Sequence, residues 1–235
     1  MDQSWSVVIF GFNEGKTIAD VIGKAKSFFE INKVSAELII IDDGSIDETE
    51  LTVTEFISDK VIYIRHSSNL GIGPALLSGY NKAVKENLIA IPADGQFDIN
   101  ELKPFLNFPE NKFISFYRQE LKEYSAYRKI ISFLNKCFNK FFLDLNIKDV
   151  NWVKAYKTKD LKTFDLELKS SLIASEICGK LIIKKYKPIE ALSVYHERKA
   201  GVARGASLSN LLDAVKELSK LVYIIRKFKK SQTEN

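Results

Sequence analysis

Two cysteines and two histidines in 235 residues leave little material for metal cages or covalent cross-links. Cys137 and Cys178 stand alone, without a CxxC pair or a neighbouring histidine. That spacing excludes a recognisable zinc site and argues against a disulfide framework, and both are expected to be reduced core residues. No Pro/Gly/Ser-rich stretch interrupts the chain, which argues against two independent domains. No apolar run reaches the ~18 residues that a membrane span requires. The opening MDQSWSVVIF lacks the basic region and cleavage site of a signal peptide. The expectation is a cytoplasmic protein whose contact with a membrane is peripheral, at its inner face. Internal repeats and low-complexity tracts are also missing.

Hydrophobic residues make up 46% and charged residues 28%, the mixture of a packed globular protein. The net charge of +5 divides unevenly. Residues 1–120 hold 11 Lys+Arg against 18 Asp+Glu, a net of −7, while residues 121–235 hold 24 against 12, a net of +12. An acidic half suits a metal and a basic half an anionic partner such as a phosphorylated lipid or an anionic membrane surface. No nucleic-acid-binding module is recognisable, so nucleic acid is not expected as a partner.

Short apolar runs alternate with helical patterns, the signature of βαβ units and a mostly parallel sheet. Strands are expected near 6–10, 37–41, 61–65, 88–91, 112–117, 151–157 and 189–195. Helices are expected near 14–30, 47–58, 72–86, 99–107, 126–142 and 170–185, with a last one from Leu208. In the first of these helices Ile18, Val21, Ile22, Ala25, Phe28 and Phe29 recur at three- and four-residue spacing, so one face is buried. The helix over 126–142 mixes Phe133, Phe138, Phe141 and Phe142 with Lys129, Lys136 and Lys140. It can close over the sheet or lie on a membrane surface. The helix from Leu208 steps its apolar residues by three and four and ends in RKFKK, compatible with packing, dimerisation or headgroup contact.

Four segments put polar groups where a buried strand or a glycine turn ends. In LIIIDDGSIDET, four apolar residues run into Asp42, Asp43 and Gly44. In SVVIFGFNEG, Val7–Phe10 empties into Gly11, Phe12, Asn13 and Glu14. In NLGIGPALLSGYNKA, the turn of Asn69, Gly71 and Gly73 opens a helix. In LIAIPADGQFD, Leu88–Ile91 leads through Pro92 and Ala93 to Asp94, Gln96 and Asp98. Strand carboxyl ends are where open α/β sheets bind ligands. Asp47 and Thr49 suit capping of the following helix, and capping of the helix from Ile99 is the alternative role for Asp94 and Asp98.

Taken in order, these segments resemble the nucleotide-sugar-binding half of glycosyltransferase family 2, with the α/β GT-A fold (nucleotide-diphospho-sugar transferase fold). The likeness is nearest to dolichyl-phosphate mannose synthases and polyprenyl-phosphate glycosyltransferases, and spans roughly residues 5–207. It implies a catalytic domain over 1–207, with 208–235 a basic amphipathic helix and polar tail rather than an independent domain. By the resemblance Phe12, Asn13, Glu14, Asp42, Asp43, Gly44, Asn69, Gly71, Gly73, Ala93, Asp94 and Gln96 bind the nucleotide-sugar, and Asp94 with Gln96 holds Mg2+ or Mn2+. The family pattern has a further aspartate where this chain has Pro92, so metal binding is expected to be weak and assisted by nucleotide. Asp149 in IKDVNWVKAYK matches the aspartate that positions the acceptor or serves as base, in a looser context of Val153, Lys154 and Ala155. A backbone-binding role at a strand start is the alternative for it. Toward the end Glu176 lies on a helix, and His196, Arg198, Gly201, Arg204, Gly205 and Ser207 share a loop, with Arg198 implied at the phosphates.

The resemblance implies an inverting transfer to an acceptor, with catalytic roles for Asp94, Asp149 and Arg198. A polyprenyl phosphate is already ionised at neutral pH and needs no strong base. A glycan or small-molecule hydroxyl would need Asp149 or another carboxylate as base. A sugar-nucleotide pyrophosphorylase would open with a glycine-rich basic loop, where this chain has the acidic FGFNEGKT. A degenerate domain binding nucleotide or membrane without catalysis is the non-enzyme alternative, and Pro92 is its support.

Overall fold

The computed structural model describes residues 3–118, 126–194, 196 and 208–233. Among these, the chain forms a seven-stranded sheet in the order β3-β2-β1-β4-β6-β5-β7. The strands are β1 (Trp5–Gly11), β2 (Ala36–Asp42), β3 (Val61–Arg65), β4 (Asn87–Pro92), β5 (Lys112–Arg118), β6 (Lys154–Lys157) and β7 (Lys187–Ser193). β1 pairs in parallel with β2 and β4, and β2 with β3. β6 runs antiparallel to both β4 and β5, while β5 and β7 are parallel. The mixed α/β architecture expected from the apolar runs is therefore present.

β1 is apolar on both faces because both faces are covered. Val7 and Ile9 join one core with α1 (Ile18–Ile31), whose Ile18, Val21, Ile22, Ala25, Phe28 and Phe29 are all buried. Val8 joins the opposite core with Ala75, Leu76 and Tyr80 of α3 (Ile72–Lys82). That helix can reach the sheet because Gly79 has no side chain: a Cβ there would lie 2.3 Å from Val8 Cγ1. The chain builds outward from β1 to β3, then returns through α3 to β4 on the other side of β1. This reversal is the topological switch point, where open α/β sheets form their ligand crevice beyond the carboxyl ends of the strands, here β1 and β4.

α2 (Thr49–Thr54) is shorter than the span expected, α1 starts at Ile18 rather than near 14, and residues Ile99–Phe105 form a 3-10 helix. A one-turn helix, α5 (Thr158–Leu161), is present in addition to the helices expected. α4 (Ala126–Leu143) leaves Phe133, Phe141 and Phe142 exposed, while Leu143, Leu145 and Ile147 enter the core. α6 (Ile173–Ile183) is buried along most of its length, including Cys178; Cys137 is half-buried and both thiols are free. α7 (Leu208–Thr233) inserts Leu221, Ile224 and Ile225 beside Ile177 and Leu181, and Gly179 makes room for Ile225. Among the described residues no helix is long and apolar enough to cross a membrane.

Candidate active site

Gly11 ends β1 between the ends of β2 and β4. Its carbonyl accepts from Asp43 N at 2.9 Å, and a Cβ on it would lie 2.8 Å from that of Ala93. Phe10 O accepts from Ala93 N at 2.9 Å, which joins the end of β1 to the turn carrying Asp94. The ends of β1, β2 and β4 thus converge on one rim.

The loop after β1 is tied to the loop after β2 through side chains. Asn13, at φ 57°, donates its backbone N–H to Ser45 Oγ at 2.8 Å, and its Oδ1 accepts from Ile46 N at 2.9 Å. Glu14 donates its amide to Thr49 Oγ1 at 3.0 Å, and its carboxylate accepts from Thr17 Oγ1 at 3.1 Å. Asp47 accepts from Gly15 N and Thr49 N. Phe12 sits half-buried in the same loop.

Asp42 and Asp43 part company. The side chain of Asp42 is fully buried beneath the rim, where Oδ1 accepts from Ser45 N at 2.8 Å and Oδ2 from Tyr63 Oη at 2.7 Å. Asp43 faces the turn after β3: Oδ1 accepts from Leu70 N at 3.0 Å and Oδ2 from Gly71 N at 2.8 Å. His66 Nδ1 lies 2.7 Å from Asp43 Oδ1, and its Nε2 2.9 Å from Ser78 Oγ. A histidine bonded at both ring nitrogens locks the carboxylate between the sheet and α3.

The glycines have separate jobs. Gly44 (φ 76°) and Gly71 (φ 94°) occupy the left-handed region that favours glycine. Gly44 also touches the backbone of Ser68 and Asn69, where a Cβ would clash. Gly73 makes its close approach to the backbone of Lys169, with Gly73 N donating to Lys169 O at 3.1 Å. Asn69 is exposed at the crest of this turn.

Across the crevice, Asp94 is buried and its Oδ1 accepts from Gln96 N at 3.0 Å, forming a tight turn with Gly95 at φ 74°. The chain beyond β7 closes on this turn. His196 N donates to Gln96 O at 3.2 Å, and Val194 N to Glu101 Oε1 at 2.8 Å. Asp98 caps the 3-10 helix by accepting from Asn100 N. Burial raises the Glu101 carboxyl, partly offset by bonds to Ser193 and Val194. Among the described residues no three His, Cys, Asp or Glu gather as a metal cage. Asp94 and the Gln96 amide are hard oxygen donors, a set that suits an ion completing its shell with diphosphate oxygens.

Asp149 stands between β5 and β6. Its Oδ2 accepts from Arg118 Nε at 2.8 Å and its Oδ1 from Arg118 Nη2 at 3.3 Å, a two-point ion pair. Burial would raise this carboxyl, but the Arg118 charge and hydrogen bonds outweigh it and hold the group below its ordinary value. The guanidinium also lies 4.7 Å from the Trp152 ring centroid, and Trp152 meets Phe97 at 6.3 Å, so Asp149 is linked to the Asp94 turn through aromatic packing. Lys154, buried, donates to Asp149 O and Trp152 O. Burial lowers its ammonium. Glu176 lies away from the rim, its carboxylate paired with Lys180 at 2.7 Å. Arg198, Gly201, Arg204, Gly205 and Ser207 lie outside the described residues.

Sequence reasoning overlooked His66 and Arg118. His66 follows the end of β3 as Asp43, Asn13 and Asp94 follow the ends of their strands, so the strand-end criterion would have found it. Arg118 likewise ends β5, but its partner is 31 positions away and only the antiparallel β5–β6 pairing joins them.

The model for "Glycosyl transferase family 2" matches residues 6–151. Over 149 residues the chain is 26% identical to a putative glycosyltransferase, CsbB, of Bacillus subtilis, a match covering 61% of this chain and 45% of that protein. Over 103 residues it is 33% identical to a prophage bactoprenol glucosyl transferase homolog of Escherichia coli, covering 43% and 33% respectively. The chain thus spans less than half the length of either relative. A crystal structure of glucosyl-3-phosphoglycerate synthase from Mycobacterium tuberculosis, with Mn2+, UDP and glucosyl-3-phosphoglycerate, superposes with a TM-score of 0.61 at 16% identity, covering 97% of this chain and 80% of that one.

Proposed function

The chain belongs to glycosyl transferase family 2, and from that premise we propose that it transfers a sugar, with inversion, from a nucleotide-sugar to a polyprenyl phosphate. The observation that carries the acceptor class is the state of Asp149. A carboxylate held by both oxygens to Arg118, with its proton affinity lowered, is a poor base for a hydroxyl. A phosphate acceptor brings an oxygen that is already ionised. The similarity to a bactoprenol glucosyl transferase homolog supports the same acceptor.

An acceptor phosphate oxygen attacks the anomeric carbon as the bond to the nucleoside diphosphate breaks, and the leaving group carries away the electron pair. Asp94 and Gln96 would hold Mg2+ or Mn2+, which when bound neutralises charge on the departing diphosphate. Arg198 would add a cation there. Phe12, Asn13 and Glu14 line the nucleoside side, with Asn13 keeping the two loops in register. Asp43 acts through the turn it holds, presenting Asn69 and the Gly71 backbone. Residues 1–207 form the catalytic unit and 208–235 an accessory segment. The lipid substrate places the protein against a membrane, for which the exposed Phe133 and Phe141 of α4 and the +12 charge of the second half are suited.

The test is a thermal-shift screen of nucleotide-sugars with Mn2+, followed by transfer assays offering the hits a short polyprenyl phosphate or hydroxyl acceptors. Transfer to the phosphate, reduced but not abolished in Asp149→Asn, is expected. Exclusive use of a hydroxyl acceptor, abolished by the same substitution, would overturn the acceptor assignment. No response to any nucleotide-sugar would leave a binding domain without catalysis.

A further inference from the structure

Four consecutive backbone amides, those of Glu167, Leu168, Lys169 and Ser170, are held by two carboxylates. Glu176 of α6 accepts from Glu167 N at 3.2 Å and from Leu168 N at 3.1 Å. Glu217 of α7 accepts from Lys169 N at 3.2 Å through Oε1 and from Ser170 N at 3.0 Å through Oε2. Lys220, one turn further along α7, donates to Glu167 O. The segment so gripped turns one carbonyl toward the crevice: Lys169 O accepts from Gly73 N at 3.1 Å.

Gly73 lies in the first turn of α3, which has no side-chain N-cap. A helix start leaves amides without intrahelical partners, and here Lys169 O takes one of them. The fit leaves no slack, since a Cβ on Gly73 would lie 2.3 Å from Lys169 O. Two residues earlier, Gly71 N donates to Asp43 Oδ2 at 2.8 Å. The turn over Asn69–Gly73 is therefore held between Asp43 on the sheet side and Lys169 on the helix side. Glu176 is committed to its buried pair with Lys180. Glu217 is half-buried and comes from an element otherwise remote from the crevice.

We infer that Glu217 is a positioning residue for the nucleotide-sugar site: through the 169–170 segment, the C-terminal helix sets the turn at Gly71–Gly73. The inference rests on the functional reading above, because that turn serves the donor. Without Glu217 the amides of Lys169 and Ser170 turn to water, Lys169 O loses its fixed direction, and the donor turn samples positions that must be reordered on binding.

The experiment measures calorimetric affinity for UDP and GDP with Mn2+ in the full chain and its variants, alongside hydrogen exchange at the Gly73 amide. Glu217→Gln keeps one acceptor oxygen and is expected to weaken nucleotide binding about threefold, and Glu217→Ala about tenfold. Gly73 exchange should accelerate in both. Ile225→Val, which thins the α6–α7 contact without touching the 169–170 segment, is the control for mere loss of stability, and its affinity should stay unchanged. Unchanged affinity in both Glu217 variants, or an equal loss in Ile225→Val, overturns the latch while leaving the functional reading intact. If the unaltered chain binds neither nucleotide, the functional reading falls and the latch with it.

Discussion

Arg118 and Asp149 are 28% and 17% exposed, so their two-point pair is only partly screened by water. A carboxyl whose folded pKa lies below its unfolded value, about 3.9, binds fewer protons when folded. Its stabilising contribution is complete above that unfolded value and fades as the pH falls through the lower folded one. Arg118→Met leaves Asp149 part-buried without its cation, and should cost about 2 kcal/mol at pH 7. Urea denaturation of the two proteins should show the gap closing below about pH 4. A gap that persists unchanged in acid would mean that the loss came from the Trp152 contact instead. Asp94→Asn is a different substitution, because asparagine keeps an acceptor oxygen for Gln96 N and so preserves the turn. In a transfer assay the turnover number should fall about a hundredfold or more, because the carboxylate charge is what serves the diphosphate. The acids at the rim were legible from sequence because each follows a buried run. Their inward or outward aim was not, since adjacent Asp42 and Asp43 look alike in sequence and differ only in which loop turns back to meet them.

At the level of elements, α3 and β1 meet at a point contact that one substitution can break. Gly79→Ala would place a methyl 2.3 Å from Val8 Cγ1 and 2.9 Å from Cγ2, forcing the helix off the sheet. A loss of roughly 1–3 kcal/mol is expected. Val8→Ala removes both offending carbons and leaves only Val8 Cβ, at 3.2 Å from the new methyl. The double variant should therefore be less destabilised than the sum of the singles, and a double-mutant cycle reads that coupling directly. Strands β1, β2 and β4 could be read from sequence because burial on both faces leaves unbroken apolar runs. The strand expected over 151–157 starts only at Lys154, and its two lysines, Lys154 and Lys157, are buried in the sheet. Their charges are met by groups distant in sequence: Lys154 by the carbonyls of Asp149 and Trp152, Lys157 by Glu86 and Glu110. α5 is one turn long and carries too few residues for a helical period to show.

For the molecule as a whole, the acidic first half carries the rim of the crevice, while α4 and α7 from the basic second half lie together over the core on one side of the sheet. α4 turns Phe133 and Phe141 outward at 65% and 77% exposure, with Lys136 and Lys140 exposed on the same helix. Aromatics flanked by lysines suit the headgroup boundary of an anionic bilayer, where each basic residue near the surface adds about 1 kcal/mol. The full chain should therefore cosediment with vesicles containing phosphatidylglycerol, more weakly as salt rises and as the anionic fraction falls. Phe133→Ser with Phe141→Ser should reduce that binding about tenfold or more while leaving melting and nucleotide affinity in place, because neither ring supports the core. Transfer to a lipid-embedded polyprenyl phosphate should fall in parallel, whereas transfer to a short water-soluble analogue should not. Equal loss on both substrates would trace the defect to the crevice and remove the membrane from the account.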